Sequence, residues 1–291
     1  MSRKHPVVAI TGSSGAGTST VKSAMEHIFR REGIKAAVVE GDSFHRYDRK
    51  EMKEQVAKAL AEGRNLSHFG EDGNVFDKLE ELFRAYGETG NGKVRKYLHS
   101  AEEAEPYAPL QPGEFTPWED IEPGSDILFY EGLHGGVVTD TVDVAQWVDL
   151  LVGVVPSVNL EWIQKIHRDN KERGYSAEAV VETILRRMPD YVTCITPQFS
   201  RTDVNFQRVP IVDTSNPFIA RDIPTPDESF CVVRFRYPKK HDLGYYLQML
   251  DGAWMSRPNT LVLPAGKMGM AMEVILTPII HDMMEKKRTA A

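Results

Sequence analysis

The stretch GSSGAGTST, residues 12–20, spaces its glycines as a phosphate-binding loop does, yet holds Thr18 where the pattern G-x-x-x-x-G-K-[ST] carries lysine. In such a loop the backbone N–H groups curl around phosphate oxygens, and the next helix adds the positive end of its dipole. The donors offered by Gly12, Ser13, Ser14, Gly15, Ala16, Gly17, Thr18, Ser19 and Thr20 therefore do not depend on the missing ammonium. Ser19 stands where the motif's hydroxyl contacts Mg2+. A bound nucleotide triphosphate with Mg2+ also calls for a carboxylate at the carboxyl end of a neighbouring strand, because ligands of open α/β sheets bind in that crevice. Glu131, after the apolar run ILFY, meets this need, and the turn EGLH brings His134 to the same crevice.

Asp42, in EGDSFHR, follows a second strand-like run and faces the acceptor side of the same crevice. A carboxylate there could take the proton of a hydroxyl attacking the γ-phosphorus, or could cap a helix, since Asp42 and Ser43 both suit a helix start. The residues alone leave both roles open.

A cationic stripe follows in LEWIQKIHRDNKERGYS. Lys165, Arg168, Asp169 and Arg173 are linked by helical steps and share one side, with Trp162, Ile163 and Ile166 on the other. A solvated, salt-bridged face is the plain reading of such a helix. Here an anionic ligand gives the stripe a second purpose, because phosphoryl transfer needs cations around the moving group, often on a segment that closes over it. Arg186 and Arg187 add a second cationic element one helix later. Lys165 is the first candidate to replace the loop's absent lysine, Arg168 or Arg173 the second, and Lys22, one turn along the loop's own helix, the third.

The elements that must hold these residues alternate in type. PVVAIT, AAVVE, DILFYEGLH and WVDLLVGVVP read as buried strands, and VPIVDT and FCVVRFRYP as later ones. Helical spacing follows the glycine loop up to Gly33 and recurs over 52–62, over 76–86 and in the Met-rich tail. Residues 102–124, rich in Pro and acids and lacking either period, read as a long surface excursion. The expected class is α/β: a P-loop NTPase-like, nucleoside-monophosphate-kinase-like, mostly parallel sheet flanked by helices, with late strands extending one edge. One domain over 1–291 is expected, with a lid near 160–190.

A net charge of −7 over 291 residues argues against general affinity for nucleic acid or an anionic membrane. Only Cys194 and Cys231 are present, without a C-x-x-C pair, so neither a disulfide framework nor a zinc ribbon is indicated. The N-terminal apolar run is too short for a signal peptide and nothing approaches a membrane span, so a cytoplasmic protein is expected.

Taken in order, GSSGAGTST, GDSFHR, ILFYEGLH and IHRDNKERG resemble the phosphoribulokinase and uridine kinase group of P-loop kinases. VEGDSFHRYDR, LFRAYGETGNG, RKYLHS and FYEGLH look like its bacterial phosphoribulokinase branch, over almost the whole chain. The resemblance implies ATP-dependent phosphorylation of the C1 hydroxyl of D-ribulose 5-phosphate, giving ribulose 1,5-bisphosphate for carbon dioxide fixation. It implies Asp42 as base, with Asp169, Lys165 and Arg168 also catalytic and with Arg168 and Asp169 in the lid. Ser19 and Glu131 would serve Mg2+, with Asp169 a further candidate, while His45, Arg49, Lys165 and Arg173 would bind the sugar phosphate. Homo-oligomers and control by NADH and AMP are also implied. Arg234 and Arg236, on one face of FCVVRFRYP with Val233, Phe235 and Tyr237 on the other, are candidates for an effector site, a salt-bridged interface being the alternative.

The residues themselves favour an acceptor carrying its own phosphate, because Arg49, Lys165, Arg168 and Arg173 offer a second anion site that a nucleoside would not need. A nucleoside or pantothenate kinase, or a nucleotide sensor without turnover, are the competing expectations. With Ala16 in the glycine loop and both cysteines far from it, no thiol–disulfide switch of the plant type is expected.

Overall fold

The computed structural model describes residues 4–12 and 18–290, without the side chains of 18, 19, 172, 173 and 290. Within the sequence GSSGAGTST, Ser13, Ser14, Gly15, Ala16 and Gly17 thus lie outside the described residues, as do the side chains of Thr18, Ser19 and Arg173.

Strands β1 (Val7–Gly12), β2 (Ala36–Glu40), β3 (Lys93–Val94), β4 (Glu119–Asp120), β5 (Ile127–Gly132), β6 (Leu150–Val155), β7 (Val204–Pro210), β8 (Ser229–Phe235), β9 (Trp254–Arg257) and β10 (Thr260–Pro264) form two sheets. The large sheet has the order β2-β5-β1-β6-β7-β8-β10-β9; β3 and β4 pair separately. From β2 to β7 neighbouring strands run parallel, and β8, β10 and β9 add an antiparallel extension. The expected class is therefore the observed one.

Helices α1 (Thr18–Glu32), α2 (Arg49–Ala61), α3 (Phe76–Thr89), α4 (Ala101–Ala104), α5 (Val158–Arg173), α6 (Ala177–Asp190), α7 (Leu243–Met249) and α8 (Met268–Ala290) complete the described chain. Alternation along β1 sends Val8 and Ile10 to a core shared with Met25 and Ile28 of α1 and Ile275 of α8. It sends Val7 and Ala9 to the opposite core, with Leu79 and Phe83 of α3. A strand covered on both faces needs apolar residues at every position, which is why VVAITG shows no alternation. Helix α1 ends at Glu32, and Gly33 takes φ +65°, as the spacing predicts.

Several expectations change. AAVVE is a strand but not a buried one: β2 is an edge of the sheet, and Val38 is 49% exposed. The run VPIVDT is displaced, since the strand is Val204–Pro210, ending where Pro210 meets Ser229 of β8, and Ile211 is 60% exposed. The hairpin β9–β10 was not foreseen. The excursion after residue 101 contains α4 and β4, and Gly113 accepts a bond from the Arg49 N–H, so it packs against the start of α2 as well as facing solvent. Tyr237 lies beyond the end of β8 and is 45% exposed, whereas Val233 and Phe235 are buried as expected. Among the described residues no helix is long and apolar enough to cross a membrane.

Candidate active site

Strand β1 lies between β5 and β6 and delivers Gly12 at its carboxyl end, with α1 starting at Thr18. Register then sets the acids around that point. Glu131 of β5 is level with Ile10 on one side and with Glu40 of β2 on the other, near the carboxyl ends of all three strands. Thr20, on the first turn of α1, is exposed.

The approach to the loop is stapled by a residue that spacing did not reveal. The Thr11 hydroxyl donates to Gln198 Oε1 at 2.8 Å, and the Gly136 N–H donates to the same oxygen at 2.9 Å. The Gln198 amide in turn donates to the carbonyls of Leu133 and Cys194. One buried amide thus ties the end of β1 to the turn after β5. Its position in the run ITPQFS carries no motif, and only the fold brings it there.

Lys22 donates to Glu40 Oε1 at 2.6 Å. Burial disfavours its ammonium, but the Glu40 bond and the charges of Glu40 and Glu131 raise its pKa overall. This candidate for the missing cation is therefore held by an acid next to the crevice.

Asp42 sits inside the short 3-10 turn Gly41–Phe44 that follows β2. Its capping alternative does not hold: the N-cap of that turn is Glu40, and α2 is capped by Asp48, whose carboxylate accepts from the Lys50 and Glu51 N–H groups in a capping box. The turn presses on the neighbouring strand so closely that a Cβ on Gly41 would fall 2.8 Å from the Gly132 Cα, and one on Gly132 would fall 2.7 Å from the Gly41 Cα. Glycine at both places lets the two strand ends meet.

The Asp42 carboxylate lies between two imidazoles, with His45 Nε2 3.5 Å from Oδ1 and His99 Nε2 3.8 Å from Oδ2. Burial raises its pKa, His99 and His68 pull it back, and Glu40 adds to the rise. His45 stacks on His68, ring centroids 3.9 Å apart. Burial drives both imidazoles down to about 3, and neighbouring His134 and Arg187 assist respectively at His45 and at both rings. His134, whose Nε2 lies 3.0 Å from the Phe69 carbonyl oxygen, is pushed by burial to about 4. His45 is thus a neutral hydrogen-bonding group here, not a cation for a phosphate. Arg49 is exposed, donates to the His99 carbonyl at 3.1 Å and lies over the Tyr97 ring.

On α5 Lys165, Arg168 and Asp169 meet as the stripe predicts, but the group is largely withdrawn from solvent, while the side chain of Arg173 lies outside the described residues. Lys165 bonds Asp169 Oδ2, Arg168 Nε lies 3.3 Å from Oδ1, and Asp169 is only 3% exposed. Burial lowers the pKa of Lys165 against the pull of Asp169, with Arg187 and Arg168 adding to the fall. A metal at Asp169 would have to displace one of these cations. The two arginines of α6 divide: Arg186 donates to the Leu66 carbonyl at 2.9 Å, whereas the charge of Arg187 reaches His45, His68 and Lys165. Arg187 therefore links the acceptor side to the stripe.

Arg234 and Arg236 are elsewhere, on and just past β8, separated from β1 by β6 and β7. Arg234 is exposed, and Arg236 donates to the Arg201 carbonyl at 2.7 Å. Among the described residues no group of three or more His, Cys, Asp or Glu is disposed to hold a metal ion.

Comparison with known proteins supplies the family. The model of the phosphoribulokinase/uridine kinase family matches residues 7–215. The chain is 62% identical over 292 aligned residues to the chromosomal phosphoribulokinase of Cupriavidus necator, covering all of both chains, and 57% identical to a probable phosphoribulokinase of Escherichia coli K12, covering 99% of each. The structure of a phosphoribulokinase from Rhodobacter spheroides superposes with a TM-score of 0.89 at 52% identity, over 98% of this chain and 99% of that one. With β1 and its glycine-rich sequence in the middle of the parallel strands, and this likeness along its whole length, the chain belongs to the phosphoribulokinase/uridine kinase family.

Proposed function

We propose that the chain transfers the γ-phosphoryl group of ATP to O1 of D-ribulose 5-phosphate, giving ribulose 1,5-bisphosphate and ADP in the Calvin cycle. The observation that carries the reading is the setting of Asp42: a carboxylate with a raised pKa, flanked by two imidazoles, in the turn after β2, the strand that pairs with that of Glu131. A base of raised pKa holds the substrate proton better than an ordinary carboxylate.

Asp42 takes the proton of the C1 hydroxyl as that oxygen attacks phosphorus. His45, neutral, orients an acceptor oxygen by hydrogen bonding, and Arg49 with Arg173 receives the sugar's own phosphate. Lys165 offsets charge on the transferring group and so replaces the lysine that the loop lacks. Asp169 aims Lys165 and Arg168, which is the arrangement of their heads in the structure. The pair α5 and α6 serves as the lid.

Mg2+ suits the donor set. That ion takes one or two carboxylates and otherwise water and phosphate oxygens, and Glu131 is a strand-end carboxylate that, among the described residues, belongs to no group of three or more His, Cys, Asp or Glu. Glu131 and Ser19 would hold it, and it would neutralise the β- and γ-phosphate oxygens.

ADP release measured with ribulose 5-phosphate, uridine and pantothenate tests the reading. Turnover with the sugar phosphate alone is expected; turnover with uridine or pantothenate instead, or nucleotide binding with no turnover on any acceptor, removes it. NADH activation, AMP inhibition and a homo-oligomeric state are carried by family likeness. For an effector phosphate Arg234 is the freer of the two strand arginines, since Arg236 is bonded to a carbonyl. NADH activation retained in an Arg234→Ala, Arg236→Ala double variant would remove that site.

A further inference from the structure

Arg95 opens the run RKYLHS and has no role in the chemistry described above. Its guanidinium donates from Nε to the Ser43 carbonyl at 2.8 Å and from Nη2 to the His45 carbonyl at 2.5 Å. Its plane lies against Phe115, 3.7 Å from the ring centroid, and near Trp118, at 4.7 Å. Both rings belong to the excursion after α4. Burial lowers its pKa to about 10, which leaves it charged at neutrality.

The backbone accounting explains why such a residue is needed. A four-residue 3-10 turn leaves most of its carbonyls without partners of its own. The Asp42 carbonyl takes the His45 N–H at 3.2 Å, and the Phe44 carbonyl takes the Val75 N–H at 2.9 Å. The carbonyls of Ser43 and His45, on either side of buried Phe44, are left to the Arg95 fork. Phe44 itself packs against Trp118, ring centroids 5.7 Å apart. The same three groups, Arg95, Phe115 and Trp118, thus fix the backbone on which Asp42 and His45 stand.

We propose that Arg95 is the positioning residue of the proton acceptor: bridging the Ser43 and His45 carbonyls, it holds the Asp42 turn in register with the donor side, and the excursion exists in part to stack that guanidinium in place. The inference rests on Asp42 acting as the base in the proposed reaction. Arg95 acts through geometry, because its charge is not among the influences that shift Asp42. A lysine would offer its donors from a single nitrogen, whereas the planar fork presents two donors in a fixed spread. The nucleotide side, with Glu131 and Lys22, has no bond to Arg95 among the described residues.

The test is a double-variant cycle in the full chain, reading kcat, KM for ribulose 5-phosphate, ATP affinity and thermal midpoint. Arg95→Met should lower kcat about 100-fold, the scale of a misplacement of roughly 1 Å at a reacting group. Arg95→Lys should recover part of that loss, and ATP affinity should stay within about two-fold in both. In an Asp42→Asn background the same Arg95→Met change should lower kcat by less than about three-fold, because its target is already gone.

Equal losses in both backgrounds, a parallel fall in ATP affinity, or a lowered thermal midpoint with unchanged kcat would each overturn the proposal. If Arg95→Met does not fold, Arg95→Lys and Trp118→Leu carry the same comparison, with a smaller loss in kcat that again shrinks in the Asp42→Asn background. A failure of the proposed reaction is separate, since it would appear as absent turnover in the unaltered chain.

Discussion

The turn carrying Asp42 and the helix carrying Lys165 and Asp169 hold charged side chains by different means. On α5 the backbone satisfies itself, Lys165 and Asp169 meet at a spacing of one helical turn, and Ile166 packs with Val180 and Ile184 of α6 in a small cluster of its own. The turn Gly41–Phe44 has little internal bonding. Its carbonyls are taken by Arg95 and Val75, and its carboxylate is flanked by His99, a residue of another segment. The helix is a local device that tolerates loss of a neighbour, whereas the turn is as good as the distant groups that grip it.

This contrast can be broken most directly at the base. Asp42→Asn should lower kcat by about 10³-fold with ATP affinity retained, in the range for removal of a general base. Near-normal turnover would strip the turn of its chemical purpose and leave its bracing a matter of stability alone. On the helix the expected loss is smaller. Lys165→Met should lower kcat by about 10²-fold, again with ATP affinity within a few-fold, because one of several cations is lost. Activity equal to that of the unaltered chain would shift the role of the absent loop lysine to Arg168, Arg173 or Lys22.

The smallest effect is on stability and separates the two regions by pH. His45 and His134 are buried neutral, with pKa values of about 3 and about 4 against an ordinary 6.5. The folded chain therefore binds fewer protons than the unfolded chain as pH falls below 6.5, and stability present above that value is lost on acidification toward about 4. Each such histidine contributes a slope of about 1.4 kcal/mol per pH unit inside that window. Denaturant titrations between pH 7 and 4.5 should show the fall. His134→Gln, which keeps a donor for the Phe69 carbonyl, should reduce the slope by about one histidine's share; an unchanged slope would mean that His134 is not protected from protons.

Much of the fold is legible in the order of residues, though unevenly. The strand before the glycine loop and the strand ending in Glu131 read correctly because each is an uninterrupted apolar run closed by a turn. AAVVE was equally legible as a strand, but its place at the sheet edge is a matter of strand order, which no local pattern carries. The β9–β10 hairpin had a usable signal, Pro258 and Asn259 between two short extended runs. Asp48 and Glu51 form a capping box at matching spacing, a signal that would have assigned the helix cap to Asp48 and released Asp42 from that role. For Arg95 no such signal exists, because its partners are backbone carbonyls 52 and 50 residues away, and a carbonyl has no residue type.

By itself the sequence determined the glycine spacing after the first strand and the absence of a lysine there, the acid at the end of a strand and the cationic side of a helix. Covalent spacing sets these features, and the periods of helix and strand do not vary with what packs around them. The tertiary structure alone decided that Asp42 is no cap, that His45, His68 and His134 are neutral, and that Asp169 is buried among cations. Desolvation and long-range hydrogen bonds produce those outcomes, and both exist only once segments far apart in the chain have closed over the same turn.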